Sequence, residues 1–345
     1  MSTAPAGPDT AGSLFLTGDD WQVLQELLPG LRLPADFESQ WDLLAGEDQV
    51  AAARAASLAH LRGRGLITAE DEPHPAMRTA LAMFGMPALH VRVRSWDRDL
   101  AVLAELAVGP GSGVGLARLQ RVETVGGRPA VVREGPLVEL SVFPASETLQ
   151  AIRRTLPPIA VPGGPERGPT RGSGPGPARA REPAMFAPWE DALALADALA
   201  RSPAHDPDST EARLDSAVLE LLLEQAGLTE VPPILADVAT SLTGAIEVTL
   251  VTGTGAGRID LAAPTWLGRW LVAGDRIVGL TLAPAPPDPA ATQAPPDPGH
   301  GARLGLLPAD ATSVSEDLLS ALTAAFTVQN RLLRTAASRN GSSHG

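Results

Sequence analysis

The chain of 345 residues contains no cysteine, no lysine and no tyrosine. Without cysteine there are no disulfides, thiolate nucleophiles or thiolate metal sites, so bonding does not indicate a redox compartment. All 27 basic residues are arginine, and against 40 acidic residues they leave a formal charge of −13. That surplus argues against nucleic-acid backbones and anionic membranes as partners, because both need concentrated positive charge to displace counterions. Lysine's absence also excludes a Walker A loop, which requires Gly-Lys-Ser/Thr. Long apolar runs are missing as well. The densest, such as Val218–Leu223, are interrupted by Glu or Gly and fall short of the roughly 18 residues a bilayer span needs. Met1–Ser13 is small and polar, without a basic n-region or apolar h-region, and the expectation is a cytoplasmic protein.

What is present is a composition of 44% apolar and 19% charged residues, enough to bury one large core or two smaller ones. Pro157–Pro183 is dominated by Pro, Gly, Arg and Ser and reads as a disordered linker, because it offers little apolar surface to offset the entropy of ordering. Pro284–Gly301 reads as a loop insertion and Ala337–Gly345 as a disordered tail. The expected organisation is an N-terminal half, Leu14–Leu156, and a C-terminal half, Ala184–Ala336.

Both halves show the same order of elements. Helix candidates Asp48–Gly63 and Asp208–Ala226 each close on a Gly-Leu pair, Gly65-Leu66 and Gly227-Leu228. Second helices follow at Pro75–Phe84 and Pro233–Leu242. Strands then alternate apolar and polar residues at Leu89–Arg94 and Ile246–Leu250, the period-two signature of a half-buried strand. Further strands are expected around Leu100–Val108 and Leu137–Phe143, and around Trp266–Val272, Ile277–Leu282 and Arg303–Leu307. The last strand of each half turns at a Pro-Ala pair, Pro144-Ala145 and Pro308-Ala309, into a closing helix. The second closing helix carries a capping-box pattern, Ser313-Val314-Ser315-Glu316. Strands joined without long helical crossovers pair antiparallel, so the class is α+β: quasi-twofold duplicated halves with an antiparallel sheet flanked by helices.

No catalytic constellation emerges. Gly109–Gly115 and Gly253–Gly257 are glycine-rich but lack the spacing of a dinucleotide fingerprint and read as loops between strands. The six histidines, His60, His74, His90, His205, His300 and His344, include no pair spaced as ligands on one helix face, so no metal and no cofactor are expected. Asp19-Asp20 and Glu316-Asp317 stand where helices begin, and the helix dipole accounts for them. Against this background the six tryptophans stand out. Trp266 and Trp270 share one side of a strand, where they either lie under helices or present an apolar platform to a partner.

Leu14-Phe15-Leu16-Thr17 leading into a helix, the Arg64-Gly65-Leu66 turn, the strand Leu89–Arg94, the Gly268-Arg269 pair in a late strand and the terminal strand-Pro-helix unit together resemble the EspG family of chaperones for type VII (ESX) secretion substrates. The resemblance spans about Leu14 to Phe326. It implies a cytosolic protein of two quasi-twofold α+β halves that binds PE–PPE heterodimers through the helical tip of the PPE partner and keeps them soluble for export. It also implies an apolar groove, for which Trp266, Trp270, Leu271, Leu306, Leu318 and Leu322 are the candidate protein-binding residues. The linker and the insertion depart from the family pattern, and the insertion lies beside the strands that would border the groove. An enzyme with dispersed catalytic residues and a structural adaptor of an actinobacterial assembly are the alternatives.

Overall fold

A computed structural model describes residues 12–37, 41, 46–125, 128–162, 186–188, 242–253, 265–284 and 302–341. The helix expected at Asp208–Ala226, the Gly227-Leu228 pair and most of the linker and insertion lie outside the described residues, as does the helix expected at Pro233–Leu242 apart from Leu242.

Among the described residues, ten strands form one antiparallel sheet: β1 (Gly12–Thr17), β2 (Leu89–Asp97), β3 (Leu100–Val108), β4 (Ser112–Val125), β5 (Arg128–Pro144), β6 (Phe186–Pro188), β7 (Leu242–Thr252), β8 (Trp266–Ala273), β9 (Arg276–Pro284) and β10 (Ala302–Ala309). Their order across the sheet is β1-β5-β4-β3-β2-β7-β8-β9-β10-β6. The protein is therefore α+β, and its two runs of strands meet at β2 and β7. There Leu89–Asp97 pairs residue for residue with Gly244–Thr252, centred on Val93 opposite Val248.

The expected strands are all present, and three further strands, β1, β4 and β6, join them. β1 precedes the first helix, and β4 runs through glycines assigned above to a loop. Only Gly109–Gly111 forms the turn. Gly113 and Gly115 lie inside β4, where a Cβ would come 2.2 Å from the Phe143 ring and 2.8 Å from Ser141 Oγ. Glycine is needed there because side chains of β5 cross directly over the β4 backbone.

Helices α1 (Gly18–Leu27), α2 (Glu47–Gly63) and α3 (Pro75–Ala82) cover one face of the first run. Thr17 caps α1: its hydroxyl accepts from Asp20 N, and the Asp20 carboxylate accepts from Thr17 N, both at 3.1 Å. Asp20 thus serves the helix start, as its position in the sequence suggested. α2 ends where Gly65 turns to φ +69° and Leu66 N donates to Leu61 O, a Schellman closure that gives the Arg-Gly-Leu turn its physical reason. Leu16, Trp21, Leu24, Phe37, Leu61 and Leu81 pack under these helices against Leu103, Leu116 and Leu140 of the sheet.

The opposite face carries α4 (Thr148–Arg153) and the long α5 (Ala311–Gly341). On α5, Val314, Leu318, Ala321, Leu322 and Ala325 form a stripe at helical spacing, all nearly or fully buried. The core they join includes Val91 and Val93 of β2 and Ile246, Val248 and Leu250 of β7, so one continuous core crosses the junction between the two runs. α5 begins a turn earlier than the Ser313–Glu316 pattern suggests. Asp310 is the cap: its carboxylate accepts from Ser313 N at 2.7 Å, and Asp310 N donates to Ser313 Oγ. Glu316-Asp317 consequently lies in the second turn rather than at the start. The segment taken as linker begins with order, since Pro158–Ala160 forms a 3-10 turn and Ala160 is fully buried against this core. At the other end, Ala337–Gly341 continues α5.

Candidate binding hollow at the centre of the sheet

Alternation along β2 sends His90, Arg92 and Arg94 to the α1–α3 face, where β3 contributes Glu105 and β7 contributes Glu247. Asp36 reaches the same region from the 3-10 turn Ala35–Phe37. That turn is pinned because Trp21 Nε1 donates to Phe37 O at 2.7 Å. Arg94 donates to Asp36 at 2.8 Å, and Arg92 lies 3.7 Å from the same carboxylate oxygen. Arg92 Nε donates to Glu105 Oε1 at 2.6 Å, and Arg269 Nε donates to Glu247 Oε2 at 2.7 Å. The hydrogen bond to Asp36 raises the Arg94 guanidinium above its usual value; burial opposes this, and the charges of Asp36, Glu247 and Glu105 add to it.

Between these pairs lies a hollow of about 570 Å³ that spans β3, β2, β7, β8 and β9. Trp96, Ala101, Leu103, Ala245, Leu271 and Leu280 line it, and Asp36, Arg94, Glu247 and Arg269 stand around it. An apolar floor with mutually paired charges at the margin suits burial of a partner's apolar side chains, because no charge loses its counter-ion when water leaves.

The histidines described here have structural surroundings. His60 Nδ1 lies 2.9 Å from Asp20 Oδ2, and Ala76 N donates to His74 Nδ1 at the start of α3. His90 Nε2 lies 2.7 Å from the fully buried Glu105 carboxylate, without the alignment of a hydrogen bond. Among the described residues no three of His, Asp and Glu are grouped to hold a metal ion.

Among the six residues expected to contact a partner, those whose side chains are described do not form one surface. Leu271 lines the hollow, and Trp270 borders it, although the Trp270 indole is packed in the core on the opposite face. Leu318 and Leu322 are core residues beneath α5, which corrects their assignment as groove contacts: the apolar stripe that suggested a docking face is satisfied inside the molecule. Trp266 is half-buried against the same core, its ring 6.0 Å from that of Trp270. For Leu306 only the backbone, in β10, is described.

Sequence reading passed over Trp96 and the charged ladder. The signal for one pair was available: a hairpin matching Asp97 to Leu100 must match Arg92 to Glu105, the one acid in the run Leu100–Val108. The Asp36–Arg94 contact, 58 residues apart, leaves no such trace.

Among the described residues no helix is long and apolar enough to cross a membrane. Compared with known proteins, the sequence matches no family model and no curated relative.

Proposed function

We propose that this protein is a cytosolic, substrate-specific chaperone of an ESX (type VII) secretion system, holding the apolar helical tip of a PE–PPE-like pair in the central hollow until export. The observation that carries the reading is the hollow itself, built from both runs of the sheet with an apolar floor and a paired-charge rim. The cargo class comes from the family resemblance.

Duplicated halves, the second part of the proposal, are supported by the strand order, in which each run outward from β2 or β7 ends on its own first-occurring strand. The registers agree. Counting from Val93 opposite Val248, Arg92 and Glu105 on β2 and β3 correspond to Glu247 and Arg269 on β7 and β8, an ion pair in each half with its charges exchanged. Leu106 faces Gly115 in the first half as Trp270 faces Gly279 in the second, each member 164 positions on (270 minus 106; 279 minus 115). Pro144 and Pro308 are also 164 apart (308 minus 144).

The test is co-expression with PE- and PPE-like proteins encoded beside this one, followed by size-exclusion chromatography. A stable complex is expected, and Ala245→Trp, which fills the hollow, is expected to abolish it. Failure to bind any of them sinks the cargo assignment, and a complex indifferent to Ala245→Trp sinks the site.

A further inference from the structure

The charged groups on the hollow's side of the sheet form one ladder that runs from the core to the hollow's margin. Its inner end is the fully buried Glu105: Arg92 Nε donates to Oε1 at 2.6 Å, and His90 Nε2 lies 2.7 Å from Oε2. Arg92 Nη2 lies 3.7 Å from Asp36 Oδ2, the same oxygen that accepts from Arg94 at 2.8 Å. Arg94 in turn stands opposite Glu247 across the β2–β7 junction, and Glu247 accepts from Arg269. Leaving His90 aside, the ladder is neutral, with Glu105, Asp36 and Glu247 balancing Arg92, Arg94 and Arg269.

His90 is the member whose side-chain type changes charge between about pH 5 and 8. It is 6% exposed, its neighbours across the strands are the buried Ala107 and Val251, and among the described residues neither ring nitrogen makes an aligned hydrogen bond. Glu105 Oε2 is likewise without one. The charged groups on its side are Arg92 on its own strand, Glu105 on β3, Asp36 one step further and Arg118 on β4, diagonal to Glu105. From β7 comes the uncharged Thr249, and from α3 and the turn after it come Met77, Leu81 and Phe84. The second half shows that the ion pair does not need an imidazole. Counted from Val93 and Val248, Ala245 occupies beside Glu247 and Arg269 the place that His90 holds beside Arg92 and Glu105.

We infer that His90 is a proton switch for the hollow: its imidazolium draws Glu105 from Arg92, Arg92 closes on Asp36, and Arg94 is left as a surplus cation at the hollow's margin. One carboxylate between two cations holds neither as firmly as it held one. Arg92 then turns to the next acceptor along, Asp36, which is the acceptor of Arg94. The surplus charge settles on Arg94 because that side chain is 51% exposed and water stabilises it, whereas His90 and Glu105 are buried. Docking an apolar group would strip that water from an uncompensated charge, so binding in the hollow weakens as pH falls. The effect on cargo rests on the hollow being the docking site; the rearrangement within the ladder does not.

Two measurements on the full chain test the ladder and the hollow separately. In nitrogen-15 NMR, the Arg92 Nε–Hε resonance, assigned by its loss in Arg92→Lys, should shift in one transition between about pH 8 and about pH 5.5, together with the His90 ring resonances. It should stay fixed in His90→Gln, and also in His90→Ala, which copies the second half. An unmoved Arg92 resonance, a transition apart from that of the His90 ring, or the same shift in either variant overturns the switch. The neutral apolar fluorophore Nile red then reports on the hollow through the part of its binding that Ala245→Trp removes. That part should weaken at least about fivefold over the same range and ignore pH in His90→Gln. If Ala245→Trp removes none of the binding, the regulatory step falls together with the reading of the hollow. Hollow binding indifferent to pH while the Arg92 resonance shifts overturns only the link from ladder to hollow.

Discussion

Gly268→Ala isolates the packing of the two tryptophans. A Cβ at residue 268 would lie 2.2 Å from the outer ring carbon of Trp266 and 2.4 Å from that of Trp270, well inside any real carbon contact. Trp266 is half-buried and can swing aside, but Trp270 is 3% exposed and held by the core beneath α5. Overpacking of this kind costs about 1–3 kcal/mol. Replacing glycine by alanine in a strand interior would otherwise stabilise by about 0.5–1 kcal/mol through the lower entropy of the unfolded chain. The net expectation is a loss of about 1–2 kcal/mol, since the steric term exceeds the entropic one. Urea unfolding followed by tryptophan fluorescence should show a lower midpoint with an unchanged slope. Trp266→Leu in the Gly268→Ala background should recover part of the loss, a coupling of at least about 0.5 kcal/mol between the sites. If Gly268→Ala is as stable as the parent or more stable, the indoles do not fill this space.

Asp310→Ala should cost about 1 kcal/mol by removing the α5 cap, while Glu316→Gln should change stability by less than about 0.5 kcal/mol; the reverse ranking in urea titrations would put the helix start back at Ser313. Glu105→Ala removes the fully buried carboxylate that accepts from Arg92 and should cost about 1–3 kcal/mol, which a chemical-denaturation midpoint within error of wild type would disprove. Burial alone would raise the Glu26 carboxyl, but hydrogen bonds from Trp41 and Arg54 outweigh it and hold the group below 4.5. A lowered carboxylate contributes stability above its unfolded value and loses it as pH falls through the folded one. The stability difference between wild type and Glu26→Gln should accordingly be full near about pH 7 and shrink on acidification below about 4.5; a difference that grows in acid would refute the assignment.

Local patterns carried much of the fold. The alternation in Leu89–Arg94 and Ile246–Leu250 marked the two strands that join the sheet, since an edge between water and core imposes period two wherever one face is solvated. The Arg64-Gly65-Leu66 turn and the Pro-Ala pairs marked element ends because backbone geometry restricts which residues can stand there. β4 escaped because its glycines look like a loop until Phe143 and Ser141 of β5 are laid across them. Of the expected site residues, Leu271 reached the hollow, but Leu318 and Leu322 did not, since an apolar helical stripe reads alike whether it meets its own sheet or a partner.

By itself, the sequence determined the α+β class, seven of the ten described strands and the absence of thiol and lysine chemistry, all properties of composition or of residues a few positions apart. Only the tertiary structure decided which apolar groups remain open. The pairing of β2 with β7 across more than 150 positions creates the hollow. Exposure is a property of what lies opposite a side chain, and what lies opposite is fixed by strand pairing between distant parts of the chain.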